Sequence, residues 1–279
     1  MLVILLVSFS FLPTVTSVIN KELVDVSFGG KTLYVGGTGP GNFSSIQDAI
    51  DESVDGDTVF VYAGVYHENV HIYKSICLKG ENKDFTFIDC ETKGVAVYIS
   101  SDSTILSDFT INNSNGIYLD NTDFNLIYNN IISNNQVGIR AYNTNRLDIV
   151  KNTVFSNSEY GIYVFEGKKT VISENIIQRN KLGLKLWNIQ SSQDNYIIGN
   201  RFVENMRHVD FQYTWPISSP ATYVWFNNYW DNNLESFEYK CIFGRFAFYT
   251  VRDSNNEIVR IYSIPWVLFD RSPSNESNI

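Results

Sequence analysis

A repeated pair of asparagines, followed by a glycine, constrains this chain more than any other feature of its sequence. The Asn-x4-Asn unit occurs four times, a glycine follows three of the copies, and a related glycine precedes them. Successive glycines are 22, 23 and 22 residues apart. A fixed period in this range is typical of a stacked repeat, in which no unit can bury its apolar side alone. The units are Asn130/Asn135, Asn152/Asn157, Asn175/Asn180 and Asn200/Asn205, and the glycines are Gly116, Gly138, Gly161 and Gly183.

Each glycine leads into two apolar residues that are separated by one other residue, as in Ile162 and Val164. Alternation with a period of two indicates strands, not helices. One turn of the repeat has room for three short strands and three corners, because a strand advances about 3.3 Å per residue. The sequence therefore predicts a solenoid of parallel β-strands, with about eight turns between residues 58 and 230.

The repeated asparagines have a structural and a functional interpretation. Asparagine is common at corners because it tolerates left-handed backbone angles and its amide bonds to nearby backbone groups. Stacked amides also hydrogen-bond from one turn to the next. The alternative is a row of sugar or ion ligands, but the regular spacing favours a structural ladder. His208 replaces the glycine expected after Asn205, so the regular stack is predicted to end soon after this point.

The segments before and after the repeat are predicted to cover its ends. Residues 18–57 are predicted to contain a strand and, from Ser44 or Ser45, a helix with Ile46, Ala49, Ile50 and Val54 on one face. Such a helix covers an apolar solenoid end and its strand edges. Residues 231–279 are predicted to form an irregular, aromatic cap at the other end.

Composition and the first residues bear on location and partners. Residues 1–17 contain an apolar run followed by small residues, which predicts a signal peptide that is too short to span a membrane. We therefore expect a secreted, periplasmic or cell-surface protein without a membrane span in the mature chain. The net charge of −9 and the lack of a basic cluster argue against a nucleic-acid partner.

One short motif matches the zinc-protease signature H-E-x-x-H, from His67 to His71. That chemistry requires both histidines on one face of a helix. Here the flanking residues indicate strand–turn–strand, in which residues four apart are separated by about 13 Å. The three cysteines lack the C-x-x-C spacing of a metal site. The sequence therefore predicts no metal and no cofactor.

Polysaccharide cleavage and polysaccharide binding require different side chains. Glycoside hydrolysis needs two carboxylates about 5–9.5 Å apart, and no recognised pair is present. Binding needs aromatic planes that stack on sugar rings. The candidates are Trp187, Tyr213 and Trp215, near the end of the repeat. We expect a monomeric chain without catalysis that binds a polysaccharide or surface glycan or has a structural role. The alternative is a polysaccharide lyase or hydrolase whose carboxylates are not recognised.

The stretch from Ser45 to Glu81 resembles the N-terminal signature of the NosD-like group of right-handed parallel β-helix proteins. The asparagine repeat, the Asn228-Tyr229-Trp230 motif and the tail beginning Ile264-Pro265-Trp266 are similar to this group as well. The resemblance implies an all-β, right-handed parallel β-helix of the carbohydrate-binding and sugar-hydrolase type. It also implies a third function, the maturation of a copper enzyme, although one fold hosts many functions.

Overall fold

The backbone winds into a parallel β-solenoid in which each turn contributes one strand to each of three columns. The computed structural model describes residues 28–91, 94–189, 195–214, 223–231, 239–252 and 258–271, the last two ranges by their backbone pairing alone. The predicted signal peptide, residues 1–17, lies outside the described residues. Each strand pairs in parallel with the strand one turn away. The predicted class, an all-β parallel β-helix, is confirmed.

The strands are numbered along the chain. The first column holds β1 (Thr32–Val35), β2 (Thr58–Val61), β5 (Cys77–Gly80), β8 (Ile105–Ser107), β11 (Leu126–Tyr128), β14 (Asp148–Val150), β17 (Val171–Ser173), β20 (Asn195–Ile198), β23 (Tyr223–Phe226) and part of β26 (Ile258–Arg271). The second column holds β3 (Gly64–Tyr66), β6 (Thr86–Asp89), β9 (Thr110–Asn112), β12 (Ile131–Ser133), β15 (Thr153–Phe155), β18 (Ile176–Gln178), β21 (Arg201–Val203) and β24 (Tyr229–Trp230). The third column holds β4 (Val70–Ile72), β7 (Val97–Ile99), β10 (Ile117–Asp120), β13 (Val137–Tyr142), β16 (Tyr160–Phe165), β19 (Leu182–Ile189), β22 (Arg207–Thr214) and part of β25 (Tyr239–Arg252).

The core runs along the solenoid axis and consists of the inward residues of the three columns. In the third column the residue after each repeat glycine lies in register with its counterparts and is fully buried. The eight strands of the second column mark seven turns, where the sequence period predicts about eight. The in-register core residues after the glycines are Ile117, Ile139, Ile162 and Leu184.

The repeated asparagines form two buried hydrogen-bonded ladders. In each step the backbone N–H of one asparagine donates to the Oδ1 of the asparagine one turn further on, as Asn130 does to Asn152 at 2.9 Å. The Nδ2 group of Asn152 donates to the Ile127 carbonyl oxygen of the preceding turn. The other steps, at 2.9–3.0 Å, join Asn152 to Asn175, Asn175 to Asn200, Asn200 to Asn228, Asn135 to Asn157, Asn157 to Asn180 and Asn180 to Asn205.

The left-handed backbone position lies one residue before the ladder, not at the ladder asparagine itself. Asn129, Lys151 and Glu174 have φ angles of 53°, 58° and 55°. The asparagines that follow them are less than 2 % exposed. The expectation that asparagine is used for its left-handed backbone angles is therefore wrong. These positions require asparagine because its amide satisfies buried backbone groups on two neighbouring turns.

The repeat glycines are explained by close contact between turns. A Cβ atom on Gly161 would lie 2.6 Å from the Gly183 carbonyl oxygen. His208 occupies the corresponding register position in β22. The next strand of the column, β25, pairs with β22 only at residues 212–214, so the backbone pairing does not extend to His208. The His208 ring is buried against Phe202, and the first ladder continues one turn further, to Asn228.

A short helix, α1 (Ile46–Glu52), lies against β1, β2 and β4 at the first turns. The Ser45 side chain caps it by accepting a hydrogen bond from the Asp48 N–H at 3.0 Å. Both Glu68 carboxylate oxygens accept further N–H groups of the first turn. Ile46, Ala49 and Ile50 are buried as the sequence predicts, but Val54 is 59 % exposed because the helix ends before it.

The C-terminal region is regular where the sequence predicts an irregular cap. Strands β25 and β26 are 14 residues each and pair with one another in antiparallel fashion. The first also pairs with β22 and the second with β23, both in parallel. This hairpin joins the first and third columns into one sheet. Other residues of the predicted 231–279 cap, such as 232–238 and 272–279, lie outside the description.

Candidate functional site

The outer side of the third column carries a concentration of aromatic side chains. Alternate residues of each strand point away from the core, and parallel register aligns them from turn to turn along the solenoid axis. The outward residues form two rows along the axis. We call the two rows, together with the neighbouring Tyr160, the aromatic face. The first row is His71, Tyr98, Tyr118, Arg140, Tyr163, Lys185 and Asp210. The second row is Asp120, Tyr142, Phe165, Trp187 and Gln212.

Ring geometry decides which aromatic surfaces in the second row are accessible. The Tyr142 and Phe165 rings stack at 4.8 Å with an interplanar angle of 3°, so each covers one face of the other. Trp187 meets Phe165 edge-on, at 6.3 Å and 65°. On the other side of Tyr142 the row continues with the much shorter Asp120. Tyr142 is 40 % exposed, and we take its face toward Asp120 as the open one.

Hydrogen-bonding groups lie beside this open ring. Asn121 Nδ2 donates to Asp120 Oδ1 at 2.7 Å, and Asn143 Nδ2 donates to Asn121 Oδ1 at 2.7 Å. The Tyr98 hydroxyl lies 3.4 Å from the other Asp120 oxygen. Carboxylate and amide groups together accept and donate hydrogen bonds, which suits hydroxyl-rich ligands.

Two cations lie within the first row. Lys185 Nζ is 4.4 Å from the centroid of the Trp187 ring, 4.7 Å from that of Tyr160 and 5.0 Å from that of Tyr163. Arg140 lies in β13, where it is the register neighbour of Tyr163 in β16. Its Nε atom is buried and has no hydrogen-bond partner among the described residues. The three ring contacts place the Lys185 charge among rings that attract cations.

Three phenols of the face, Tyr98, Tyr118 and Tyr163, are neutral groups at ordinary pH. Burial raises the pKa of Tyr163 to about 12, with a further contribution from Tyr160. Burial also raises the pKa of Tyr98 and Tyr118, and the nearby Asp120 carboxylate adds to both shifts. The hydroxyl groups therefore keep their protons and are available as hydrogen-bond donors.

The candidates predicted from the sequence are placed differently. Trp187 belongs to the aromatic face. Tyr213 lies in β22, where its backbone pairs with Ile189, and Trp215 lies outside the described residues. The sequence analysis missed the other rings, although a signal was present. Four positions after the repeat glycines, the residues are Asp120, Tyr142, Phe165 and Trp187. Two positions after the same glycines, they are Tyr118, Arg140, Tyr163 and Lys185.

The acids of this face do not form a glycosidase pair. Asp120 in β10 and Asp210 in β22 are four strands apart, or about 19 Å at the usual spacing of 4.8 Å. That separation exceeds the 5–9.5 Å at which two carboxylates flank a glycosidic bond. Asp210 is instead 3.4 Å from Arg207 in an ion pair.

A serine and a histidine meet at the end of the face without completing a nucleophilic site. His71 Nε2 lies 2.8 Å from Ser100 Oγ, which is within reach for a base and a nucleophile. The Ser100 N–H donates to the Ile72 carbonyl oxygen, so it does not serve an oxyanion. Within the described ranges, His71 Nδ1 has no acceptor to orient the ring. The orienting group of a triad is therefore missing.

The H-E-x-x-H match does not have zinc-protease geometry. His67 follows β3 and His71 lies within β4, which confirms strand–turn–strand in place of a helix. His67 Nδ1 is 3.1 Å from the carbonyl oxygen of Asp89 in β6, the strand that pairs with β3 in the second column. The Glu68 carboxylate, the general base in such proteases, is bound to the N-terminus of α1.

A family model described as periplasmic copper-binding protein (NosD) matches residues 50–235. The chain belongs to the NosD family. No curated protein matches the chain in sequence. Among the described residues, no helix is long and apolar enough to cross a bilayer.

Solved structures of two pectin methylesterases are similar to this NosD-family chain. Pectin methylesterase from carrot is 15 % identical, with a TM-score of 0.52, over 74 % of this chain and 79 % of that one. Pectin methylesterase from Yersinia enterocolitica is 16 % identical, with a TM-score of 0.43, over 78 % of this chain and 85 % of that one. At these identities the similarity to the carrot enzyme shows the fold alone.

Copper, which the NosD description names, is bound in proteins by histidine, cysteine and methionine side chains. Across the described ranges, no three side chains of His, Cys, Asp or Glu come together in a way that holds a metal ion. His208 Nε2 is 2.8 Å from Asp231 Oδ1, and its other ring nitrogen contacts Asn205. Burial raises the pKa of the Cys77 thiol to about 11, which disfavours the metal-binding thiolate. The described residues do not fit a copper site.

Proposed function

We propose that this NosD-family chain is a non-catalytic polysaccharide-binding protein of the periplasm or cell surface, with the glycan lying along the aromatic face. The observation that carries the proposal is the alignment of Tyr142, Phe165 and Trp187 in one row beside hydrogen-bonding side chains. Aromatic rings supply stacking area for the apolar faces of sugars, and the polar groups supply partners for the hydroxyls.

The dimensions of the face favour a long ligand. Its seven strands, from β4 to β22, extend about 29 Å along the axis at 4.8 Å per step. The first row follows the axis over this length without interruption, and the second follows it from β10 to β22. A polymer can follow such a surface over several units, whereas a small ligand would use only one part of it.

Two arguments favour binding over cleavage or copper maturation. The carboxylates of the face are too far apart for a glycosidase pair, and the Ser100–His71 contact lacks an orienting group in the described structure. The described histidines and cysteines do not gather into a metal site. A role in which the chain holds a glycan without transforming it requires only the side chains that the face provides.

The test is a binding comparison on a panel of soluble polysaccharides. We expect Tyr142→Ala and Trp187→Ala each to weaken binding about tenfold, or ~1.4 kcal/mol, because each removes a stacking plane. Phe85→Ala is the matched control, since Phe85 is an aromatic residue, 63 % exposed, that precedes β6 in another column. Equal affinities for the wild type and both face variants, or release of shortened products, would refute the proposal.

A further inference from the structure

The aromatic face carries two cations, Arg140 and Lys185, that form no ion pair with any described carboxylate. The chain has 30 acidic and 21 basic residues, so an unpaired cation has many potential partners available. In the part of the chain that the structure describes, no carboxylate lies within ion-pair distance of Arg140 or Lys185. Both residues nevertheless lie in the same row, on the same side of the sheet.

The acids that are nearest in the two rows are engaged elsewhere. Asp210 is the register neighbour of Lys185, yet its carboxylate is paired with Arg207 at 3.4 Å. Asp120 receives hydrogen bonds from Asn121 and from the Tyr98 hydroxyl. The acids of the two described rows therefore do not compensate the two cations.

The surroundings of Lys185 hold its ammonium group in place. Three rings surround the Lys185 ammonium within 5.0 Å, and the Tyr160 hydroxyl lies 3.3 Å from it. Arg140 lies two strands away, about 9.6 Å along the axis, with Tyr163 between them. Its Nε atom is buried and has no hydrogen-bond partner among the described residues. Partial burial among apolar rings strengthens the attraction of such charges for an anion.

We infer that the polysaccharide bound by the aromatic face is anionic, and that Arg140 and Lys185 bind carboxylate or sulfate groups on sugars two positions apart along it. This inference rests on the proposed function and adds the chemical class of the ligand. Tyr163, between the two cations, provides a ring against which the intervening sugar packs. Charge complementarity selects the ligand, because the surrounding protein, with a net charge of −9, repels polyanions elsewhere.

The experiment measures affinity for polygalacturonate, dextran sulfate and dextran, which present carboxylate, sulfate and no charge. We expect the wild type to bind at least one of the two polyanions about tenfold or more tightly than dextran. The double substitution Arg140→Met with Lys185→Met should abolish that preference, since methionine keeps an apolar side chain of similar reach and removes the charge. Preference for polygalacturonate alone assigns carboxylate, and preference for dextran sulfate alone assigns sulfate.

Two control variants keep the result interpretable. Lys185→Arg retains the charge and should retain the preference, which separates loss of charge from loss of folding. Lys79→Met removes an exposed lysine from the first column and should leave all affinities unchanged. Thermal unfolding of each variant verifies that the solenoid is intact.

Several outcomes would overturn the inference. Dextran bound as tightly as both polyanions, a double variant that keeps the preference, or single-stranded DNA bound as tightly as the polysaccharides would each do so. If Tyr142→Ala weakens dextran binding while the charge variants change nothing, the proposed function stands and the anionic ligand is wrong. If no polysaccharide binds the wild type, both fall.

Discussion

At the scale of single residues, buried amides join the turns of this solenoid to one another. Asn152 Oδ1 accepts hydrogen bonds from the backbone and side-chain nitrogens of Asn130. Its Nδ2 donates to the Ile127 carbonyl oxygen at 2.8 Å and to Asn175 Oδ1 at 3.1 Å. One side chain therefore satisfies buried groups on three successive turns, which no aliphatic residue of similar size can do.

Replacing one ladder asparagine tests this account directly. We expect Asn152→Ala to lower the free energy of unfolding by about 1–3 kcal/mol, because the Asn130 N–H loses its acceptor and stays buried. Asn115→Ala is the control, since Asn115 is exposed and should change stability by less than about 0.5 kcal/mol. Chemical denaturation of both variants gives the comparison, and equal stabilities would show that the ladder amides contribute little.

At the scale of elements, helix α1 is held by a carboxylate from the segment that follows β3. Glu68 Oε1 accepts from the Ile46 N–H at 2.8 Å, and Oε2 accepts from the Gln47 N–H at 3.0 Å. The first N–H groups of a helix have no partner within it, and a negative charge near its N-terminus is favourable. The glutamate of the apparent protease motif therefore has a structural role.

Hydrogen exchange of the helix amides tests this anchor. We expect Glu68→Ala to accelerate exchange in Ile46–Glu52 while β16 stays protected, because two helix N–H groups lose a charged acceptor. Glu52→Ala, which removes an exposed carboxylate from the end of the same helix, should leave that exchange unchanged. Unaltered protection in the Glu68 variant would show that burial of Ile46, Ala49 and Ile50 holds the helix by itself.

The elements also show why some predictions succeed. The solenoid follows from the sequence because the glycine period and the alternating apolar pairs are local signals that repeat. The C-terminal hairpin does not follow from the sequence. Its strands contain Gly244 and Pro265, which are unfavourable residues for a central strand. Its register depends on contacts with β22 and β23 that no local pattern encodes.

At the scale of the whole molecule, the same register that builds the core also builds the outer surface. The inward residues after each glycine form the core, and their outward neighbours form the aromatic face. The sequence offered Trp187 as a binding residue, but not Tyr142 or Phe165, because scattered aromatic residues become a row only when turns of unequal length are aligned. Stacking of Tyr142 on Phe165 at 4.8 Å is the consequence of that alignment.

The central claim is that a polysaccharide lies along this face, and oxidative footprinting of aromatic side chains tests it most directly. The saturated complex with the tightest-binding polysaccharide should show reduced labelling of Tyr142 and Trp187, because the ligand covers their rings. Labelling of Phe85 and Tyr34, which are exposed at other sites, should stay as in the free protein. Protection of Phe85 or Tyr34 with unchanged labelling of Tyr142 and Trp187 would contradict the account.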